Sequence, residues 1–244
     1  MRRGGGFSSA FSKIKFMVVI KMSKKIFVTG TGTDVGKTFI TALMIKKLRD
    51  AGISAGYYKA AASGDEIENI PSDAFYVKKI AGLNCDMKNF VSYSYTESVS
   101  PHLAAKIFNR PIEFSVIKSD FAAAEKHFDF LTVEGSGGII CPLRFDDKIL
   151  MLDDVIKNLN LSVVVVVDSK LGEINSAVLT IEHLIYKKIP VKGLILNRFD
   201  EKNLLHVDNK NVIENLTKLP VLATVKKNAS DIGISIEKLT AIYD

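Results

Sequence analysis

Acidic residues are missing from the first 25 positions of this 244-residue chain, cysteine occurs twice, histidine four times, and no apolar run exceeds five residues. Each shortage excludes something. Cys85 and Cys141 lie far apart with no CxxC pair, which excludes a disulfide framework and a thiolate metal site and suits a reducing, cytoplasmic setting. His102, His127, His183 and His206 form no HxxxH or HExxH pair, so they read as surface or capping residues rather than zinc ligands. Phe16–Ile20 is too short for a signal-peptide core or a membrane span, and Val163–Val167 has the length of a buried strand. The expectation is a soluble protein with no membrane partner.

The missing acids also explain the charge. The formal net charge is +6, but seven basic residues and no acid fall within residues 1–25. The remainder carries 26 basic against 27 acidic residues and is nearly neutral. No basic stripe is left to argue for nucleic acid. Residues 1–21, basic and Gly/Ser-bearing, read as an upstream start extension or a disordered tail before a second start-like stretch at Met22-Ser23-Lys24-Lys25. An amphipathic targeting peptide is the weaker reading. Residues 22–244 are expected to form a single domain, since no linker-like stretch and no internal repeat divides them.

What is present is alternation. Strand patterns near 25–30, 55–59, 129–134, 162–168, 191–196 and 221–225 are separated by helix patterns near 37–50, 72–81, 101–109, 113–126, 149–159, 174–187 and 208–217, with a helical tail from 232. Residues 60–71 read as a polar loop, Ser72 as a helix N-cap, and 84–100 as irregular. The pattern predicts an α/β fold with a mostly parallel central sheet and helices on both faces, of the phosphate-loop NTPase type once the glycine-bearing Gly30–Thr38 loop after the first strand is counted. The valine run fits a parallel strand buried on both sides.

Residues 26–41, IFVTGTGTDVGKTFIT, place Gly36-Lys37-Thr38 between a strand and a helix. Glycine-bearing backbone can aim N–H groups at phosphate oxygens, the helix N-terminus favours anions, Lys37 can reach the β/γ-phosphates, and Thr38 can offer a hydroxyl to Mg²⁺. Five residues rather than four separate Gly30 from Gly36. Ligands of open parallel sheets gather beyond the strands' carboxyl ends. There the sequence puts Lys59 and Ser63-Gly64, Glu134-Gly135-Ser136-Gly137-Gly138, Asp168 and Lys170-Leu171-Gly172, and Asn197-Arg198. Glu134, just past a buried strand, suits a magnesium ligand. Asp73 can serve the metal or only the helix N-terminus, Asp168 can neighbour the metal or cap, and Asn197 can contact adenine or form a turn.

Taken in order, Gly30-Thr31 to Thr33 with Val35-Gly36-Lys37-Thr38, Tyr58-Lys59 with Ala62-Ser63-Gly64, Ser72-Asp73-Ala74, Ser100-Pro101-His102, Arg110-Pro111-Ile112, Val133-Glu134-Gly135 with Gly137-Gly138, Pro142-Leu143, Lys170-Leu171-Gly172 with Ile174-Asn175, and Asn197 resemble the dethiobiotin synthetase family. The resemblance covers most of residues 25–200. It implies an ATP- and Mg²⁺-dependent cyclo-ligase that closes a ureido ring on 7,8-diaminononanoate with CO₂ or bicarbonate, through a carbamate and a carbamic-phosphoric anhydride, in biotin biosynthesis. It implies ATP contacts at Asp34, Val35, Gly36, Lys37, Thr38, Phe39, Asp73, Glu134, Gly135, Ser136, Gly137, Asn197 and Arg198. Thr38, Asp73 and Glu134 would hold Mg²⁺, and Lys37 and Lys59 would be catalytic. Thr33, Ser63, Leu171, Gly172 and Asn175 would meet the diamine, the last three across a homodimer interface. The chain departs from the family at Ala60, where proline is usual, at Asp34, where glutamate is frequent, and at Val225-Lys226-Lys227, where a proline-bearing adenine loop is expected. A MinD/ParA-like regulatory ATPase is disfavoured because Gly32 stands where that group carries a second lysine. A cobyrinate-amidation-like synthetase is disfavoured because no glutaminase-like domain follows.

Overall fold

The computed structural model describes Met1 and residues 23–244; the expected N-terminal extension lies, apart from Met1, outside the described residues. The chain builds β1 (Lys24–Gly30), α1 (Lys37–Asp50), β2 (Ala55–Ser63), β3 (Glu66–Ile67), β4 (Ile70–Pro71), α2 (Ser72–Ala81), β5 (Val91–Tyr95), α3 (Pro101–Ile107), α4 (Phe114–Ala124) and β6 (Phe130–Glu134). It continues through β7 (Pro142–Phe145), β8 (Ile149–Met151), α5 (Leu152–Asn158), β9 (Val163–Asp168), α6 (Glu173–Tyr186), β10 (Val191–Asn197), α7 (Leu204–Thr217), β11 (Val221–Val225) and α8 (Ile236–Ala241).

Seven strands form one sheet in the order β11-β10-β9-β1-β6-β2-β5, and every pairing in it is parallel. Every residue of β9 is buried, as are the last five of β1, so both faces of the sheet centre are covered. β1 lies between β6 and β9, and the chain winds outward to opposite sides from it. That reversal opens a crevice at the carboxyl end of β1, where the phosphate loop begins.

Several boundaries differ from the sequence reading, each for a tertiary reason. β2 runs on to Ser63 because Ala61, Ala62 and Ser63 pair with β5, so residues 60–63 are strand rather than loop. β5 replaces part of the expected irregular stretch: Val91, Tyr93 and Tyr95 turn inward and only Ser92 and Ser94 lie between them, a period of two masked by polar composition. Ser72 is the first helical residue rather than the N-cap; Ile70-Pro71 pairs with Glu66-Ile67 and delivers Pro71 as the cap. The helix expected from 149 starts at Leu152, since Ile149–Met151 pairs with β7. α7 starts at Leu204 rather than 208, because the Asn203 side chain accepts a hydrogen bond from the Leu205 N–H.

Candidate functional site

Gly36 ends the loop after β1 in a left-handed conformation, φ 94°, and α1 starts at Lys37 with no acidic residue in its first turn. No side chain of the helix's own first turn therefore offsets its positive end at the loop. A side chain at Gly36 is sterically forbidden: a Cβ there would stand 2.0 Å from the Asn197 amide nitrogen. Asn197, at the end of β10, is buried and donates from Nδ2 to the Val35 carbonyl at 2.9 Å. Arg198 donates to the Asp34 carbonyl at 2.8 Å and to Asp168 at 2.6 Å. The loop is thus braced by the ends of β9 and β10. Lys37 curls over it, its ammonium on the Gly32 carbonyl at 2.7 Å.

Across the crevice, β2 and β6 place Lys59 and Glu134 side by side as register partners. Lys59 Nζ donates to Glu134 Oε1 at 2.9 Å and to Asp73 Oδ2 at 2.5 Å. Thr38 Oγ1 lies 2.7 Å from Glu134 Oε1 and 3.2 Å from Asp73 Oδ1. One lysine, one hydroxyl and two carboxylates from four elements therefore meet at one point. Burial alone would lower the Lys59 pKa, but the charges of Glu134 and Asp73 outweigh it and raise the group above its ordinary value. Lys59 is an ammonium throughout the physiological range. Burial would raise Asp73, yet the charge of Lys59, its hydrogen bond and that of Thr38 pull it below the usual carboxylate value. Burial, with the like charge of Lys59, lowers Lys37. Tyr57 is fully buried beneath this cluster; burial first, then the charges of Glu134 and Asp73, raise its phenol well above the ordinary range.

These groups face a cleft of about 1380 Å³. Of the residues singled out from the sequence, Thr33, Asp34, Gly36, Lys37, Thr38, Phe39, Lys59, Ser63, Asp73, Glu134, Gly135, Ser136, Gly137 and Arg198 all line it. Ser63 donates to the Val99 carbonyl and Ser136 to the Ala61 carbonyl, both at 2.6 Å. Val35 and Asn197 lie behind the loop, buried, rather than on the cleft wall. Leu171, Gly172 and Asn175 do not line the cleft; Leu171 is 80% exposed, and Gly172 caps α6.

The sequence reading did not single out the wall formed by Phe75, Tyr76, Lys79 and Ile80 of α2 or by Ile140-Cys141, all on the cleft. The 3.6-residue spacing along α2 is the signal that could have found the first group. Nor did it find Glu173, whose carboxylate accepts from the Thr31 hydroxyl at 2.7 Å and ties α6 to the phosphate loop.

The donor set suits a hard cation. Thr38, Asp73 and Glu134 supply only oxygen, two carboxylates and a hydroxyl, as Mg²⁺ prefers when phosphate and water complete its shell. Among the described residues no group of three or more His, Cys, Asp or Glu is arranged to hold a metal by itself.

A family model described as "AAA domain" matches residues 24–231. The ATP-dependent dethiobiotin synthetase of Clostridium botulinum strain Eklund 17B is 45% identical over 226 residues, covering 91% of this chain and 99% of that protein. The enzyme of the same name from strain Loch Maree is 43% identical with the same coverage. Among solved structures, MinD from Pyrococcus horikoshii, complexed with Mg-ADP, gives a TM-score of 0.53 at 15% identity over 85% of this chain and 82% of that one. A ParA family ATPase from Chlorobium tepidum gives 0.52 at 15% identity, covering 85% of each chain. These two likenesses concern the fold.

Proposed function

The chain belongs to the ATP-dependent dethiobiotin synthetase family, and we propose that the cleft between the phosphate loop, β2 and β6 is where it carboxylates and cyclises 7,8-diaminononanoate. The protein is an ATP-dependent cyclo-ligase that forms C–N bonds in biotin biosynthesis. What carries the residue assignment is the convergence of Lys37, Thr38, Lys59, Asp73 and Glu134 at the one rim where β1, β2 and β6 end.

In this reading one substrate amine adds CO₂ and loses a proton, giving a carbamate. A carbamate oxygen displaces ADP from the γ-phosphorus of ATP, and the second amine attacks the resulting anhydride carbon, closing the cyclic urea and releasing phosphate. No protein nucleophile is required; the demand is for fixed positive charge where negative charge accumulates. Lys37 meets it at the β/γ-phosphates. Lys59 meets it at the carbamate and the moving phosphoryl group, held in place by Asp73 and Glu134. Thr38, Asp73 and Glu134 would hold Mg²⁺, which would supply further neutralisation of phosphate charge. Asp34, Gly36, Phe39, Gly135, Ser136, Gly137 and Arg198 shape the nucleotide's bed; Val35 and Asn197, buried behind the loop and hydrogen-bonded to each other, hold that bed in shape, and Asn197 is the residue the family likeness assigns to adenine. Thr33 and Ser63 contact the diamine. The Leu171–Asn175 loop serves the cleft of a second copy in a homodimer. No helix among the described residues is long and apolar enough to cross a membrane. We place the enzyme in the cytoplasm because both cysteines are free, as a reducing compartment keeps them.

The test is incorporation of labelled bicarbonate into a cyclic urea. We expect label in product only when diamine, ATP and Mg²⁺ are all present. ATP turnover indifferent to the diamine, as a regulatory ATPase would show, overturns the reading.

A further inference from the structure

The cluster has one loose end, and it lies beneath the cleft rather than in it. Glu134 Oε1 accepts from both Thr38 and Lys59, while Oε2 is buried and makes no hydrogen bond among the described residues. The Tyr57 hydroxyl is likewise buried and likewise without a well-formed bond. A buried carboxylate oxygen and a buried phenol each cost free energy when unpaired. Two such groups in one place satisfy each other if they meet. The strand geometry brings them together: Tyr57 and Lys59 are two residues apart on β2 and project to the same face, and Lys59 is the register partner of Glu134. A phenol hydroxyl can donate, and a carboxylate oxygen accepts.

We propose that Tyr57 is a positioning residue for Glu134: its hydroxyl donates to Oε2, directly or through one buried water, and fixes the carboxylate so that Oε1 is presented to Thr38, Lys59 and the metal. This rests on the Mg²⁺ site of the proposed function. A supporting partner of a metal-binding carboxylate restricts its rotation, and losing such a partner typically weakens metal affinity about tenfold or more. Tyr58, the next residue, projects to the opposite face and has its own partners, Ser92 at 2.7 Å and the Ile117 carbonyl at 3.0 Å. It is a matched control: the same change, one residue along, on the other side of the sheet.

The experiment compares the parent, Tyr57→Phe and Tyr58→Phe. ADP binding is measured by calorimetry with Mg²⁺ and with chelator, and the Mg²⁺-dependent rise of the thermal midpoint in ADP is recorded. The parent alone tests the metal site, since ADP affinity that ignores Mg²⁺ removes that site whatever Tyr57 does. Given a Mg²⁺-dependent parent, we expect Tyr57→Phe to lose about tenfold in Mg²⁺-supported ADP affinity. Its affinity in chelator should stay within about twofold of the parent's. Tyr58→Phe should lower the thermal midpoint and leave the Mg²⁺ dependence alone. In a Glu134→Gln background, Tyr57→Phe should have no further effect on Mg²⁺ dependence. Parent-like Mg²⁺ dependence in Tyr57→Phe overturns the proposal. So does failure of Tyr57→Phe to fold, because the hydroxyl would then be part of the core's support.

Discussion

Lys59 is buried between two carboxylates, a costly arrangement whose value depends on all three charges being present. In the resting protein the lysine pairs with both Asp73 and Glu134. In the proposed reaction it would face charge growing on the carbamate and phosphoryl oxygens, an interaction stronger in the transition state than in the ground state. Lys59→Gln should therefore lower kcat about 100-fold while leaving the KM for ATP within about threefold. A variant with parent kcat and a raised KM would make Lys59 a binding group only. A second residue-scale test uses Cys141, on the same cleft. Burial pushes its thiol up to about 11, against the smaller opposing influence of Lys37 and Lys59. The thiolate is the reactive form, so iodoacetamide should label Cys141 slowly at neutral pH, with the rate rising about tenfold per pH unit toward that value. Peptide mass spectrometry separates it from Cys85, and fast labelling at pH 7 would show that the cleft stabilises the thiolate. Glu134 was legible in the sequence as the residue ending a strand; the sequence pattern ends a strand at Lys59 too, but that residue sits in the middle of β2, which runs on to Ser63. Their contact was not, because it depends on β2 and β6 becoming neighbours 75 residues apart in the chain.

The elements act as braces for the phosphate loop, and Gly36 shows how tightly. Gly36→Ala forces a side chain into a left-handed backbone, roughly 1–2 kcal/mol, and drives its Cβ into the Asn197 amide. We expect a lower thermal midpoint and a higher KM for ATP. Adding Asn197→Ala removes the clashing amide and should return part of the midpoint; if the double variant is no more stable than the sum of the single losses, the amide is not the obstacle. The alternation of strands and helices was readable because each central element carries its own signal, such as the valines of β9 or the helix stop at Ala51-Gly52. The peripheral elements carry none. β7 and β8 are short, and their hairpin is held by Arg144, which donates to Glu113, Asp146 and Asp147. Glu113 precedes α4 and is 31 residues from Arg144, so local pattern contains no trace of the pairing. The loop's braces, Arg198 on Asp168 and Thr31 on Glu173, are invisible for the same reason.

At the scale of the whole molecule, Glu173 of the Leu171–Asn175 segment ties α6 to the phosphate loop, whereas its neighbours Leu171, Gly172 and Asn175 stay off the cleft. Leu171 is the apolar tip of the turn after β9, 80% exposed, and neither it nor Gly172 nor Asn175 reaches the cleft. Further apolar surface continues along α6 at Leu179, Ile185 and Tyr186 and onto α7 at Leu204. If two copies associate about a two-fold axis, each loop can complete the other's cleft, since such an interface uses the same surface on both subunits. That arrangement makes a prediction that a monomer, or a dimer with each cleft served by its own loop, cannot meet. Lys37→Ala damages the cleft and spares the loop; Asn175→Ala damages the loop and spares the cleft. Each homodimer should be nearly inactive. In a mixture allowed to exchange subunits, a heterodimer pairs the sound cleft of one protomer with the sound loop of the other, while its second site carries both defects. Random exchange in equal amounts should therefore restore about a quarter of parental turnover. Sedimentation would confirm that the mixed species are dimers. Activity that stays at the level of the separate variants, with exchange shown to have occurred, would mean that the loop does not act across the interface.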